Sequence, residues 1–360
     1  MVPQGARTAL TLGRPLSRYD VALDMTDLDH VVEYEPADMT VTVEAGVTLA
    51  ALQARLAEEG QYLSVDPPPS DEVTIGGLLA TARAGSWRGH LPSARDLVLG
   101  ATVATPEGTL ATSGGRVVKN VTGYDLHRMH TGALGALGVI VSASFKVAPL
   151  PEATSTLAFR CADLATAERA AFELLDRRLP MRMLTVLDPP TAAGLGFDAA
   201  IVILVAFEGV PGAVARAERE TRDLARRVRA QLLDVPATMP VDLRRRAAAG
   251  DEGEPTIVRL GVAPSDVCAM LARVAVAGFE GWAHLAAGTV LARAFDVDGR
   301  TIEELRAHAE SVGGFLQVEH APRALREAMP PPGDVDLMRA LKQRFDPSGV
   351  LNPGRWAEGV

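Results

Sequence analysis

The sequence predicts an α+β chain of two domains, and three observations carry that expectation. Its 360 residues are about two domains' worth of chain. The first half reads as short apolar stretches cut by Gly and Pro turns, whereas the second alternates strand-like and helix-like segments at regular spacing. With 48% hydrophobic but only 4% aromatic residues, the cores are built mainly from Ala, Val and Leu. Pro149 and Pro151 mark a boundary, which gives a first domain at 1–150. A second domain at 151–332 ends in the linker Pro330-Pro331-Pro332-Gly333, and 333–360 forms a closing segment.

The elements follow in order. Residues 39–45 alternate Val41, Val43 and Ala45 against Thr40, Thr42 and Glu44, the period of a half-buried strand. Thr48 caps a helix carrying Leu49, Leu52 and Leu56, with Gly60 past its end. A helix is expected over 78–84 and an apolar strand over 97–104. The turn Pro106-Glu107-Gly108 and a strand over 109–112 follow, and residues 139–147 alternate again. In the second half, strands are expected at 155–160, 183–187, 199–207, 256–262, 282–287 and 289–294. Helices are expected at 163–178, at 213–233 with Arg/Glu pairs four apart, and at 265–277. A further helix opens at a capping box, Thr301-Ile302-Glu303-Glu304. This rhythm predicts an α+β domain with an antiparallel sheet. No internal repeat is evident.

Composition excludes several functions. A net charge of −9 argues against nucleic acid, which needs a clustered basic face. No run of eighteen apolar residues offers a transmembrane segment, and residues 1–14 lack the apolar core of a signal peptide. Cys161 and Cys268 match no metal spacing, which makes a reduced, cytoplasmic protein the default. Lysine occurs only at 119, 146 and 342.

Four segments carry the chemistry. Gly5-Ala6-Arg7-Thr8 is a permissive loop with a hydroxyl. Pro67 precedes Thr74-Ile75-Gly76-Gly77. Gly89, Ser93 and Asp96 lie ahead of a strand. Lys119-Asn120-Val121-Thr122-Gly123-Tyr124-Asp125 leads into Gly132-Ala133-Leu134-Gly135-Ala136-Leu137-Gly138-Val139-Ile140. Glycine lets backbone N–H groups approach a ligand without a Cβ in the way, and such a surface suits a ligand carrying phosphates. Each segment also has a plain structural reading. The pair Gly76-Gly77 opens a helix, Ser93 and Asp96 suit a polar loop, Asp125 suits a helix cap, and Gly138 suits a bulge in a buried strand. Seven histidines are scattered. His127 and His130 stand three apart with no third ligand, and His284 lacks a His partner at metal spacing, so no metal site is expected.

In order and spacing these segments resemble the FAD-binding half of the vanillyl-alcohol oxidase / p-cresol methylhydroxylase (PCMH-type) flavoproteins. Within that family they resemble the FAD-binding subunits of bacterial glycolate oxidases. The ending Phe345-Asp346-Pro347-Ser348-Gly349-Val350-Leu351-Asn352-Pro353-Gly354-Arg355 is similar to the C-terminal signature of FAD-linked oxidases, where the chain returns to the flavin domain. The resemblance implies an FAD-binding domain of two α+β subdomains and an α+β cap. It implies cofactor contacts from Gly5, Ala6, Arg7, Thr8, Pro67, Thr74, Ile75, Gly76, Gly77, Gly89, Ser93, Asp96, Lys119, Gly123, Tyr124, Asp125, Gly138, Val139 and Ile140. No His stands near Gly5 and no Cys in the flavin half, so FAD is expected to bind noncovalently. The implied function is that of an FAD-binding subunit in a glycolate oxidase-like complex that oxidises a small 2-hydroxy acid. A sister flavin subunit and an iron–sulfur subunit would be its partners, at the inner face of the membrane. A free-standing oxidoreductase acting on another alcohol, or an FAD-stabilised scaffold, stays open. The His-rich cap motif of hydroxy-acid-oxidising relatives is absent, and His284 is the nearest candidate for a catalytic residue. Relatives place a helix and a strand ahead of the first loop, so residues 1–14 are expected to be a frayed edge.

Overall fold

Two units divide the chain in the computed structural model, which describes residues 1–68, 72–116, 124–236, 238–248, 254–330 and 335–357. The first unit gathers residues 1–84, 92–150 and 323–360; the second gathers 85–91 and 151–322. Mixed helix and antiparallel sheet make up both.

The first unit is organised by a five-stranded antiparallel sheet. In spatial order its strands are Val31–Glu35, Thr40–Glu44, Val139–Lys146, Val98–Ala104 and Leu110–Gly114. Helix Leu49–Ala57 starts where Thr48 Oγ1 accepts the Ala51 N–H at 3.2 Å, and helix Ile75–Thr81 is capped by Thr74. Their apolar faces, Leu52, Leu56, Ile75 and Leu78, close a core with Val41, Val43, Val98 and Phe145. Each fully buried residue of this kind contributes about 1.5–3 kcal/mol.

Residues 1–14 are docked, which corrects the expectation of a frayed edge. Val2–Gln4 pairs in parallel with Ala22–Asp24. The Asn352 N–H donates to Met1 O at 2.9 Å, the Arg14 N–H to Arg355 O at 3.0 Å, and Arg326 Nη1 to Thr11 O at 3.0 Å. The partner strand and the anchoring residues lie far along the chain, where sequence spacing gives no sign of them.

The second unit holds an eight-stranded antiparallel sheet in the order Gln231–Leu233, Ala153–Cys161, Ile201–Gly209, Met181–Leu187, Glu280–His284, Thr289–Ala294, Thr256–Gly261 and Phe315–His320. This sheet is a topological duplication. Each half runs strand, helix, strand, strand, helix, strand, with helices Leu164–Asp176 and Pro211–Arg227 in the first and Val267–Val276 and Gly299–Ser311 in the second; the first half adds a short helix, Pro189–Gly194, between its middle strands. The halves meet where Met181–Leu187 pairs with Glu280–His284, the second strand of each. The sequence shows no repeat because the pairing requires apolar alternation, which different residues supply equally well.

Two local expectations are corrected. The helix expected over 213–233 spans Pro211–Arg227; Arg229 turns left-handed at φ +57°, and Gln231–Leu233 becomes an edge strand. The helix expected to open at Thr301 starts two residues earlier, because the Asp298 carboxylate accepts the Thr301 N–H at 2.8 Å.

We expect hydrogen exchange to report the docking of the N-terminus. The amides of Val2, Met25 and Asn352, which bond Val21 O, Gln4 O and Met1 O, should exchange at least about a hundredfold more slowly than in an unstructured peptide. Exchange at the peptide rate would show that this edge is open.

Candidate cofactor site

Two adjoining clefts in the first unit, of about 710 and 460 Å³ counting the space open at their mouths, bring together segments from opposite ends of the chain. Gly5, Ala6, Arg7 and Thr8 line one wall of the larger. Pro67, Thr74 and Gly77 line another, and Leu134, Asn352 and Arg355 complete it. The smaller cleft is bounded by Gly5, Gly76, Gly77, Gly135, Gly138, Val139, Ile140 and Asn352. The first loop, the second loop and the 132–140 turn therefore converge, although about seventy and a hundred and thirty residues separate the latter two from the first.

The glycines mostly serve protein packing. A Cβ on Gly5 would stand 2.2 Å from Thr74 Oγ1, and one on Gly76 would stand 2.9 Å from the Ala45 Cβ. The first turn of helix Ile75–Thr81 has no spare donors. Ile75 N–H bonds Val47 O and Gly76 N–H bonds Ala45 O, each at 2.8 Å; Gly77 N–H bonds Thr74 Oγ1 at 3.3 Å. The open donors lie in the first loop. No described acceptor takes the N–H groups of Gly5, Ala6, Arg7 or Thr8. Arg7 holds a left-handed φ of +62°, the kind of turn that points successive N–H groups to one side and forms an anion nest.

Charge agrees with this geometry. Arg7, Arg83 and Arg355 line the larger cleft, and none of its described lining residues is a carboxylate. Arg355 is buried and donates from Nη1 to Leu10 O at 2.8 Å. Burial, together with the nearby Arg326 charge, lowers its pKa to about 10, so it stays charged at neutral pH. Sequence reasoning missed Arg83, Asn352 and Arg355 as cleft residues. The last two stood within the recognised C-terminal signature; Arg83 carried no signal.

Other expected residues lie elsewhere. Lys119 and Gly123 fall outside the described residues. Gly89 belongs to the second unit, where its Cα faces the backbone of Ala286 and Ala287. Ser93 donates its N–H and Oγ to Asp96 Oδ2 at 3.0 and 2.6 Å, which holds the Asp96 carboxyl below its ordinary range. Tyr124 is exposed. Asp125 sits at the start of helix Leu126–His130 without capping it, 3.7 Å from Arg128.

Histidines behave mainly as packed groups. His284 Nδ1 shares a hydrogen bond with Thr185 Oγ1 at 2.9 Å across paired strands. Burial holds its pKa down at about 3, helped by the charges of His90 and Arg88. His284 thus has an imidazole neighbour that the sequence did not reveal. Burial likewise lowers His90 and His130 to about 4. Among the described residues, one group of three potential metal ligands exists, Asp29, His30 and Glu44; His30 and Asp29 are exposed, and His30 bonds Glu44 at 2.9 Å.

A donor-rich loop, three arginines and a carboxylate-free lining are what a phosphorylated cofactor would require. Comparisons with known proteins agree. Residues 1–114 match the FAD binding domain, and residues 296–356 match the C-terminal domain of FAD linked oxidases. The chain is homologous to glycolate oxidase subunits. It is 39% identical over 158 residues to glycolate oxidase subunit GlcE of Escherichia coli, a match spanning 44% of this chain and 45% of that one. It is 25% identical to subunit GlcD of Bacillus subtilis across 99% of this chain and 83% of that one. In three dimensions it is similar to p-cresol methylhydroxylase, with a TM-score of 0.73 and 15% identity over 99% of this chain and 84% of that one. The fold is thus of the PCMH type.

Two outcomes test this site's physics. Gly76→Val should destabilise the first unit by about 1–3 kcal/mol through the clash with Ala45, and Gly77→Ala by less, as read by urea unfolding. The second outcome is a pH dependence. The folded pKa values of His90, His130 and His284 lie below the unfolded value near 6.5, so the unfolded chain gains protons first as pH falls. Their contribution is complete above about pH 6.5 and is lost as pH falls through about 4 and then 3. Unfolding free energy should therefore drop between pH 6.5 and 4, less steeply in a His130→Gln variant.

Proposed function

We propose that this chain is the FAD-binding subunit of a glycolate oxidase-like complex that oxidises a small 2-hydroxy acid. One observation carries the reading: Gly5 to Thr8, whose N–H groups take no described acceptor, line a cleft whose described lining holds three arginines and no carboxylate. A dinucleotide diphosphate needs this combination of directed donors and offset charge. FAD, when bound, would supply a redox centre that accepts or relays the electrons removed from the carbon bearing the substrate hydroxyl.

The chain's own residues bind and orient. Gly5, Ala6, Arg7 and Thr8 hold the diphosphate through backbone N–H groups, and Arg7, Arg83 and Arg355 offset its charge. Pro67, Thr74 and Gly77 also line this cleft, and Gly138, Val139 and Ile140 border the second. The described lining contains no His or Cys, which supports noncovalent attachment. His284, neutral at ordinary pH, already shares its Nδ1 with Thr185, so this reading keeps it as a packed residue and assigns it no proton transfer. Substrate chemistry then rests on a sister flavin subunit, with an iron–sulfur subunit receiving electrons. Among the described residues no helix is long and apolar enough to cross a membrane, and we place the complex in the cytoplasm at the membrane's inner face.

The absorption spectrum of the purified chain tests the proposal. We expect the visible absorption bands of a bound flavin, and yellow colour released into the supernatant on acid precipitation. A colourless chain that takes up no added FAD would refute the reading; colour retained in the pellet would refute noncovalent attachment.

A further inference from the structure

Asn352 carries an unpaired hydrogen-bond acceptor beside the proposed cofactor clefts. The residue is 5% exposed and borders both clefts. Its Nδ2 donates to Leu134 O at 2.6 Å. That carbonyl only accepts, so the nitrogen must face it and the amide orientation is fixed. The other end, Oδ1, is buried with no hydrogen-bond partner. A buried amide oxygen left unpaired keeps its full desolvation cost, and groups of this kind are otherwise satisfied in folded proteins.

The surroundings hold Asn352 in place at several points. Its backbone takes a left-handed φ of +43°, a conformation Asn tolerates better than most residues. Its N–H donates to Met1 O at 2.9 Å. Gly135 makes room, since a Cβ there would stand 2.9 Å from Nδ2. Lys342 secures the same turn from below. Its buried ammonium donates to Ala136 O at 2.9 Å and to Leu351 O, and pairs with Asp346 at 2.7 Å. Burial alone would raise the Asp346 carboxyl, but the Lys342 ammonium and the Leu351 and Val350 amides outweigh it and leave the pKa lowered. Two tethers bind the other side of the turn: Gly132 N–H to Leu79 O and Leu134 N–H to Ala80 O, both at 2.8 Å. These hydrogen bonds together hold a partnerless acceptor in place on a residue that borders both clefts.

We infer that Asn352 Oδ1 is a direct cofactor contact, accepting a hydrogen bond from a hydroxyl or amino group of FAD, and that Lys342 is the residue that positions it. The inference rests on the FAD reading above. It makes the C-terminal segment part of the binding site.

FAD titration of the full-length chain, stripped of flavin and followed by quenching of flavin fluorescence, is the test. Asn352→Ala should weaken FAD by about tenfold or more, the worth of one buried hydrogen bond, and Lys342→Met by a similar factor. The unfolding temperature is measured with and without FAD. A residue that only holds the fold lowers both values equally, whereas a ligand contact also shrinks the rise produced by FAD. Asn352→Leu fills the space if the alanine variant does not fold. Arg246→Met, which breaks an ion pair with Glu280 in the second unit, should lower stability and leave FAD affinity unchanged. Unaltered FAD affinity and an unaltered FAD-induced rise in Asn352→Ala or Asn352→Leu would overturn the inference while leaving the FAD reading intact. A wild-type chain that binds no FAD would overturn both.

Discussion

The first unit depends on one constraint: the end of the chain must be bound to its beginning and to the 132–140 turn. Lys342, Asp346, Asn352 and Arg355 meet this constraint with hydrogen bonds and charge rather than with apolar contact. A buried ammonium is costly to desolvate, and here Asp346 and two carbonyls offset that cost. The carbonyls of Ala136, Leu351 and Leu134 would otherwise lie near or within the core without donors. Removing one partner would strand several others, so the clasp behaves as a unit.

That constraint changes the meaning of the glycines. Permissive backbone near a phosphate suggests ligand approach, and for Gly5 the open N–H groups beside it agree. Gly76 has a different cause, because its N–H is committed to Ala45 O and its missing Cβ admits the Ala45 side chain. The clefts lie where loops pack closely against one another, and the N–H groups of Gly5 to Thr8 are those the packing leaves over. The same logic accounts for Asn352, whose one free atom is what the clasp did not use.

The second unit is built by repetition. Two copies of one six-element pattern share a sheet through their second strands, and His284 and Thr185 face each other at that junction. Segment 85–91 adds His90 and Arg88 to the surroundings of His284, and their charges help keep it neutral. An imidazole so buried and already bonded at Nδ1 is held as a neutral packing group through the ordinary pH range.

Much of this was legible in the residues. Alternation marked the strands around Val41 and Val43 and around Val139, Thr48 announced its helix, and the glycine segments with the C-terminal signature marked an FAD-binding chain. Local chemistry sufficed in each case, because period, cap and motif are properties of neighbouring residues. What sequence spacing missed was long-range. The parallel pairing of Val2–Gln4, the docking of residues 1–14, the entry of Arg83 and Arg355 into the cleft, and the partnership of Lys342 with Ala136 each join residues far apart in the chain. The sequence by itself determined which segments are strands, helices and glycine loops. Only the tertiary structure decided which of their donors and acceptors remain free for a ligand, because that depends on which distant partner has already claimed each one.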